Sequence, residues 1–285
     1  MLAISLAAEK IGSIAGFPIT NSLLSTWLTM GVITGLCFIA TRKMSLVPSN
    51  AQSIAELTVG ALYDFFHAVT GKFTKQFFPV VASIFFFVIA ANWIGLMPGF
   101  GTIGFFHTKE VEISEKHTSV EPVAQPDEHA AEVAPAVDEH ATAPVAAHTE
   151  TETEFVPIFR AATADLNMTV GLALIAVFAI QYFGFKIVGP HYSSKFINFK
   201  DPIMFYVGIL ELISDISKII SFAFRLFGNI FAGEVLLAVM AFLMPFIIPL
   251  PFLMMELFVG FIQALVFSML TAVFLNLAVS HGEEH

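Results

Sequence analysis

IISFAFRLFGNIFAGEVLLAVMAFLM, residues Ile219–Met244, is apolar enough to lie in lipid, yet it carries Arg225 and Glu234. A charge at membrane depth costs several kcal/mol, roughly 2.5 to 17 depending on the reference state, so it is kept where it serves a function. The next apolar run carries Glu256 and Gln263. One cation and two carboxylates inside lipid-grade sequence point to ion movement across a membrane.

The run belongs to a longer one. Ile203–Met244 has no helix breaker over 42 residues. At 1.5 Å per residue that is roughly 63 Å, about twice the hydrocarbon thickness. Such a helix is expected to tilt steeply, to lie partly along the membrane, or to bend near Gly228 and Gly233. Pro245, Pro249 and Pro251 predict a turn, and Phe252–Val279 returns as another long helix. The pair reads as a long, strongly tilted helical hairpin.

Its polar residues are ordered. At 100° per residue, Ser214, Lys218, Ser221, Arg225 and Asn229 form one stripe, with Glu234 about 180° from Arg225. Glu256, Gly260 and Gln263 share a face of the returning helix. Antiparallel pairing would bring Gln263 near Arg225 and, more loosely, Glu256 near Glu234. Blander roles fit too: Arg225 as counter-ion to Glu234 or Glu256, Glu256 at the interface near the turn, Gln263 as a helix–helix hydrogen bond.

Composition agrees on class. The chain is 56% hydrophobic with 13% charged residues, and its mean hydropathy is +0.80; soluble domains rarely reach this. The expected fold is an all-α membrane protein with about five membrane helices and one interfacial amphipathic helix. The net charge of −10 misleads, because residues 107–155 hold 12 of the 23 acidic residues and two of the 13 basic ones. The membrane part, at 11 acidic against 11 basic, is neutral. A lone Cys37 excludes an intrachain disulfide, and no secretory signal is expected in the opening MLAISLAAEK.

Three more spans are expected, at about Ser22–Ala40, Phe77–Met97 and Leu166–Val188. Arg42 and Lys43 follow the first, Lys72 and Lys75 precede the second, and Lys186, Lys195 and Lys200 mark the end of the third. The positive-inside tendency places these ends in the cytoplasm, the N-terminus and residues 107–155 outside, and the C-terminus in the cytoplasm. Pro48, Ser49 and Asn50 announce a further helix. Its stripe of Ile54, Leu57, Ala61, Leu62, Phe65, Phe66 and Val69 lies on the cytoplasmic surface or packs on protein. Three regions follow: 1–106, membrane helices and surface helix; 107–155, a disordered acidic loop rich in Ala, His and Pro; and 156–285, the helices of the ion-translocation hairpin. The loop repeats DEHA at Asp127 and Asp138. Five His lie there beside carboxylates, but a flexible loop lacks the fixed geometry of a metal site. No metal and no cofactor are expected.

The run Ser221–Glu234, with its Arg-Leu-Phe-Gly-Asn core and Ala-Gly-Glu end, resembles the signature of subunit a of the membrane (FO) sector of F-type ATP synthase. Gln263–Phe267 with the tail Ser280–His285, Asn92–Gly99 and Ala164–Thr169 resemble other stretches of that family. The resemblance implies a rotary-motor stator beside a ring of c subunits, with peripheral-stalk b subunits and the rest of the ATP synthase as partners, lipid around it and no nucleic acid. It implies that Arg225 faces the ring's ion-binding carboxylate and blocks leak between two aqueous half-channels. It implies that Glu234, Glu256, Gln263, Asn229, Ser221, Asp165, Asn167 and Asn92 line the ion pathway. Some relatives have His where this chain has Glu256; two carboxylates sharing a site are expected to set the pH profile of pumping. The acidic loop departs from compact relatives and is expected to enrich cations outside the membrane, less so in salt.

The implied setting is a bacterial inner membrane and the implied ion is the proton, with a sodium-coupled version as an alternative. No Gly-x-x-x-x-Gly-Lys phosphate loop is present, so nucleotide chemistry is assigned to a partner and not to this chain. A self-contained secondary transporter is the runner-up, but its repeated halves with broken helices are not evident. A structural scaffold comes third, and Arg225 argues against it.

Overall fold

The computed structural model describes residues 9–14, 17–42, 49–101, 103–111, 150–189, 192, 202–244 and 247–280. Its helices are α1 (Asn21–Thr41), α2 (Asn50–Thr70), α3 (Thr74–Gly95), α4 (Leu166–Val188), α5 (Pro202–Leu243) and α6 (Pro249–Ser280). Strands β1 (Lys10–Ile14) and β2 (Phe17–Thr20) form an antiparallel pair ahead of α1. Strand β3 (Pro98–Gly101) follows α3, and β4 (Gly104–Val111) pairs with β5 (Glu150–Pro157). Chain contacts divide the protein into two units: Met1–Phe105 with Val156–His285, and Phe106–Phe155.

Local chemistry sets the helix ends. Thr20 Oγ1 accepts from the Leu23 N–H at 3.3 Å, Ser49 Oγ from Gln52 at 3.4 Å and Asp165 Oδ1 from Asn167 at 3.0 Å. Each satisfies an N–H that has no partner within its helix. Gly71 and Gly189, at φ 50° and 77°, cap α2 and α4 in a region that suits glycine.

Five helical segments among the described residues are long and apolar enough to cross a membrane: Asn21–Thr41, Asn50–Gly95, Leu166–Val188, Ile203–Leu243 and Pro249–Ser280. The second joins α2 to α3 through a 3₁₀ turn at Gly71–Phe73. The chain is thus an all-α membrane protein. Burial on α1 is inverted relative to a soluble helix. Asn21, Ser22, Ser25, Thr26 and Thr29 face inward, while Trp27, Met30, Leu36 and Phe38 are exposed. Lipid accepts the apolar face, and the hydroxyls bond to carbonyls one turn back or, from Ser22, to the Asp165 carboxylate across the bundle.

In the first unit α3 lies against α1 and α6, α4 against α5 and α6, and α2 against α3 and α6. The centre is aromatic: Phe77 meets Phe183 edge-on at 5.2 Å, and Phe222 lies 4.9 Å from Phe267. With lipid outside, packing rather than water exclusion holds such a core. Phe267 is fully buried, so Phe267→Ala is expected to destabilise the protein by on the order of 3 kcal/mol, the low end for Phe→Ala because the cavity remains while the transfer term shrinks. Reversible unfolding in detergent measures this.

The long unbroken run is seen: helix α5 spans 42 residues, through Gly228 and Gly233. Other expectations change. Pro249 and Pro251 lie in the first turn of α6 rather than in the connection, because first-turn N–H groups have no helical acceptor for proline to remove. The stripe on α2 splits: Leu62 and Phe66 are buried, whereas Ile54, Leu57 and Phe65 are exposed. Residues 107–111 and 150–155, expected to be disordered, are strand. Alternating Glu with Thr and Phe across Glu150–Phe155 has the two-residue period of a strand. The DEHA repeat and the His-rich residues 112–149 lie outside the described residues, as do Lys43, Pro48, Lys195, Lys200, Pro245 and the tail beyond Ser280.

Candidate functional site

Helix α5 buries a narrow seam of Gly208, Asp215, Phe222, Ala223, Leu226, Ile230 and Gly233. This near-heptad spacing keeps one edge on the bundle. Ser214, Ser221, Arg225, Gly228, Asn229 and Ala232 occupy an exposed stripe. Arg225 therefore points away from the bundle, and among the described residues it has no hydrogen bond or ion pair. Lys218, expected on this stripe, instead donates to Asp215 Oδ1 at 2.7 Å and lies 3.8 Å from Glu211. A flexible ammonium follows the nearest carboxylate more closely than its helical angle.

Antiparallel packing of α5 on α6 places Asn229 Nδ2 2.7 Å from Gln263 Oε1, to which it donates. Gln263, expected near Arg225, is thus tied one turn beyond it. The carboxyl of Glu256 lies against Gly233, where an added Cβ would overlap it. Glu256 and Gln263 are 4% and 3% exposed. Glu256 Oε1 and Gln263 Nε2 have no hydrogen-bond partner among the described residues. Buried polar atoms in that condition are costly, and each calls for an explanation.

Glu234 is held by Arg160, a residue sequence reasoning missed. Arg160 Nε lies 3.4 Å from both carboxylate oxygens, and Nη2 lies 3.4 Å from Oε2. The guanidinium is 5% exposed and Glu234 is 33% exposed. The open reading of Arg225 as the counter-ion of Glu234 gives way to Arg160. The pair joins residues 74 positions apart, a separation that no helical period encodes.

The other expected residues gather at the same end of the bundle. Asn92 Nδ2 donates to the Gly260 carbonyl at 3.1 Å, and its Oδ1 accepts from Thr163 at 2.8 Å. Ser22 donates to Asp165 Oδ2 at 2.6 Å. Asn92 and Asp165 are therefore bridged into the scaffold, while Asn167 is exposed. Trp93 Nε1 donates to the Leu257 carbonyl at 3.2 Å, adding a second tie from α3 to α6.

At the opposite end, Asp215 accepts from Gln181 at 2.6 Å and from Lys218, and Gln181 Oε1 accepts from Tyr192 at 2.9 Å. Burial, then Asp215 and Glu211, push the Tyr192 phenol up to about 12, so it remains a donor at neutral pH. The two polar ends are separated by the aromatic centre, with Arg225 on the outer stripe between them.

Comparisons with known proteins agree on one family. The family model described as ATP synthase A chain matches residues 23–276. The ATP synthase subunit a of Gloeobacter violaceus is 31% identical over 266 residues, covering 93% of this chain and 86% of that protein. That of Syntrophobacter fumaroxidans is 27% identical over 96% of this chain and 90% of its own length. ATP synthase subunit a 3 of Pelobacter propionicus is 29% identical over 88% and 84%.

Proposed function

The chain belongs to the ATP synthase subunit a family, and from that membership we propose that it is the stator against which a ring of c subunits turns. As a family member it is a multi-pass FO subunit with a part in proton transport and ATP synthesis, and the F-type complex is its setting. The finer reading rests on one observation. Arg225, midway along an apolar helix, faces outward without a partner among the described residues. A guanidinium stays protonated and pairs well with a carboxylate, and lipid makes a lone one expensive. A passing ring carboxylate supplies what this face lacks.

The cycle follows from that contact. Arg225 favours the ionised ring site beside it, while lipid favours the neutral one elsewhere on the circuit. A proton reaches the ring from the end that carries Asp165, Glu256 and Glu234, and leaves towards the end that carries Asp215 and Glu211. Arg225 stands between the two half-channels and prevents a direct leak. Nucleotide chemistry belongs to the other subunits, and peripheral-stalk b subunits hold this one against the ring's torque.

Charge supports the orientation. Arg42, Lys72, Lys75 and Lys186 cluster where α1 and α4 end and α3 begins, opposite the Asp165 end. The positive-inside rule makes that side cytoplasmic, in a bacterial inner membrane, with the acidic insert outside.

Cysteine cross-linking in the assembled complex tests the reading. With Cys37 replaced, single cysteines at Ser221, Gly228 and Ala232 are expected to cross-link to a cysteine on the ring's outer helix, and one at the buried Ala223 is not. Cross-links from the exposed face of α1 at Val32, with none from the α5 stripe, would refute the ring-facing assignment.

A further inference from the structure

Arg160 is delivered by a pinned piece of backbone. The Ile158 N–H donates to the Ile103 carbonyl at 2.9 Å, and the Gly101 N–H donates to the Phe159 carbonyl at 2.9 Å. Phe159 packs on Phe100 at 5.5 Å between ring centroids. Ala161 leaves no room for a Cβ at Gly95, and Thr163 is tied to Asn92. The guanidinium also lies 6.0 Å from the centroid of the Phe231 ring, one turn before Glu234 on α5. A cation delivered from so fixed a segment determines where the partly exposed carboxylate comes to rest.

Two carboxylates approach α5 within one residue of each other. Glu256 comes from α6 and seats on Gly233, and Glu234 follows Gly233 in the chain. Arg160 reaches Glu234 from the 158–161 segment. The charged groups around Glu234 among the described residues are thus Arg160 and, through the Gly233 seat, Glu256; Arg225 lies nine positions back on the far side of α5. The contacts between Arg160 and Glu234 are all 3.4 Å, longer than the roughly 2.7–2.9 Å of a tight charge-assisted bond. Such a pair orients the carboxylate without locking it.

We propose that Arg160 is the positioning residue of the carboxylate pair: it draws Glu234 to the 158–161 segment and keeps it apart from Glu256, so that the two act as separate proton stations. This rests on the stator reading above, in which both carboxylates serve the path to the ring. Without Arg160 nothing described on the 158–161 segment draws Glu234 away from the Gly233 seat, and the titrations of the two acids are expected to become coupled.

The test is a mutant cycle in the assembled ATP synthase, read as ATP-driven acidification of sealed vesicles beside the amount of assembled complex. Arg160→Gln is expected to slow pumping on the order of tenfold, as small misplacements of a reacting group do. Arg160→Lys keeps the charge but loses the fork, and is expected to recover a measurable part of that loss. The decisive variant is Arg160→Gln with Glu234→Gln, expected to assemble and to pump no worse than Glu234→Gln alone, because the proposed task of Arg160 in pumping is to place Glu234.

If Arg160→Gln fails to assemble but the double variant assembles and matches Glu234→Gln, the inference stands, since the defect then lies in a partly buried Glu234 left without its cation. If the double variant is lost or pumps clearly less than Glu234→Gln, Arg160 is a scaffold residue and the inference is overturned. If Glu234→Gln alone leaves pumping unchanged, the placing of Glu234 on the path fails first, and that outcome is separate from normal Glu234 dependence with a silent Arg160.

Discussion

Arg225→Ala is expected to abolish ATP-driven acidification, by on the order of a hundredfold or more, while the subunit still inserts and assembles. The magnitude is that of removing a preorganised electrostatic contact from a reacting site. Intact assembly is expected because Arg225 lies on the exposed stripe of α5 and bonds to nothing among the described residues. Removing it breaks no internal contact, and substitutions away from such contacts usually change stability by about 0.5 kcal/mol or less. It also relieves an apolar helix of a charge. Passive proton leak, followed in the same vesicles, is expected to rise if Arg225 is the barrier proposed above. Arg225→Lys is expected to pump poorly as well, since a compact, strongly hydrated ammonium replaces a planar fork. Normal pumping by Arg225→Ala would make the residue structural and overturn the motor reading.

The contrast between the two arginines shows what a sequence reveals and what it conceals. Arg225 was legible because it interrupts an apolar run long enough to cross lipid, and hydropathy along one helix is local information. The same signal located α4 at Leu166–Val188, the bounds seen in the structure, and α1, α3 and α6 to within about three residues, as usual for helix ends. Arg160 sits in a short irregular stretch between a low-complexity insert and α4, where no periodicity marks it. Its function depends on a partner that only packing brings near.

Lys218 shows how far a long side chain can depart from its helical angle. Its helical angle placed it with Ser221 and Arg225, but its long stem turns to Asp215. Angles predict where Cα–Cβ bonds point, and long side chains depart from them. Asn92 and Asp165 were legible only through the family resemblance, and they are bonded into α6, α1 and the Thr163 turn. Polarity in a membrane helix marks a residue with a task, and the hydrogen bonds decide whether that task is holding the scaffold or carrying charge.

Gly233 carries the second large prediction. The sequence offered it as a packing residue or a bend. In the structure it is a buried point on an uninterrupted helix, and the Glu256 carboxyl rests on it. Gly233→Ala adds a methyl group where that carboxyl lies. The overlapping atoms are the far end of a flexible side chain, so the carboxyl swings aside more readily than the helices separate. Alanine also favours the helix by roughly 0.8–1 kcal/mol over glycine. The two effects oppose each other in stability and do not in function. Gly233→Ala is therefore expected to assemble with a thermal midpoint close to the parent's and, on the proposed path through Glu256, to pump about tenfold more slowly. Gly171→Ala on α4, where an added Cβ meets nothing within 4 Å, controls for helix propensity and is expected to pump normally. Glu256→Asp, one methylene shorter, makes room for the new methyl and is expected to restore part of the rate in the Gly233→Ala background. Normal pumping by Gly233→Ala would mean that the seat of Glu256 does not matter to the path. Loss of assembly, with no relief from Glu256→Asp, would mean that Gly233 sets the spacing of α5 and α6 rather than the position of the carboxyl. The predicted result, slow pumping in a sound complex relieved by a shorter acid, ties the rate to one carboxyl group resting on one glycine.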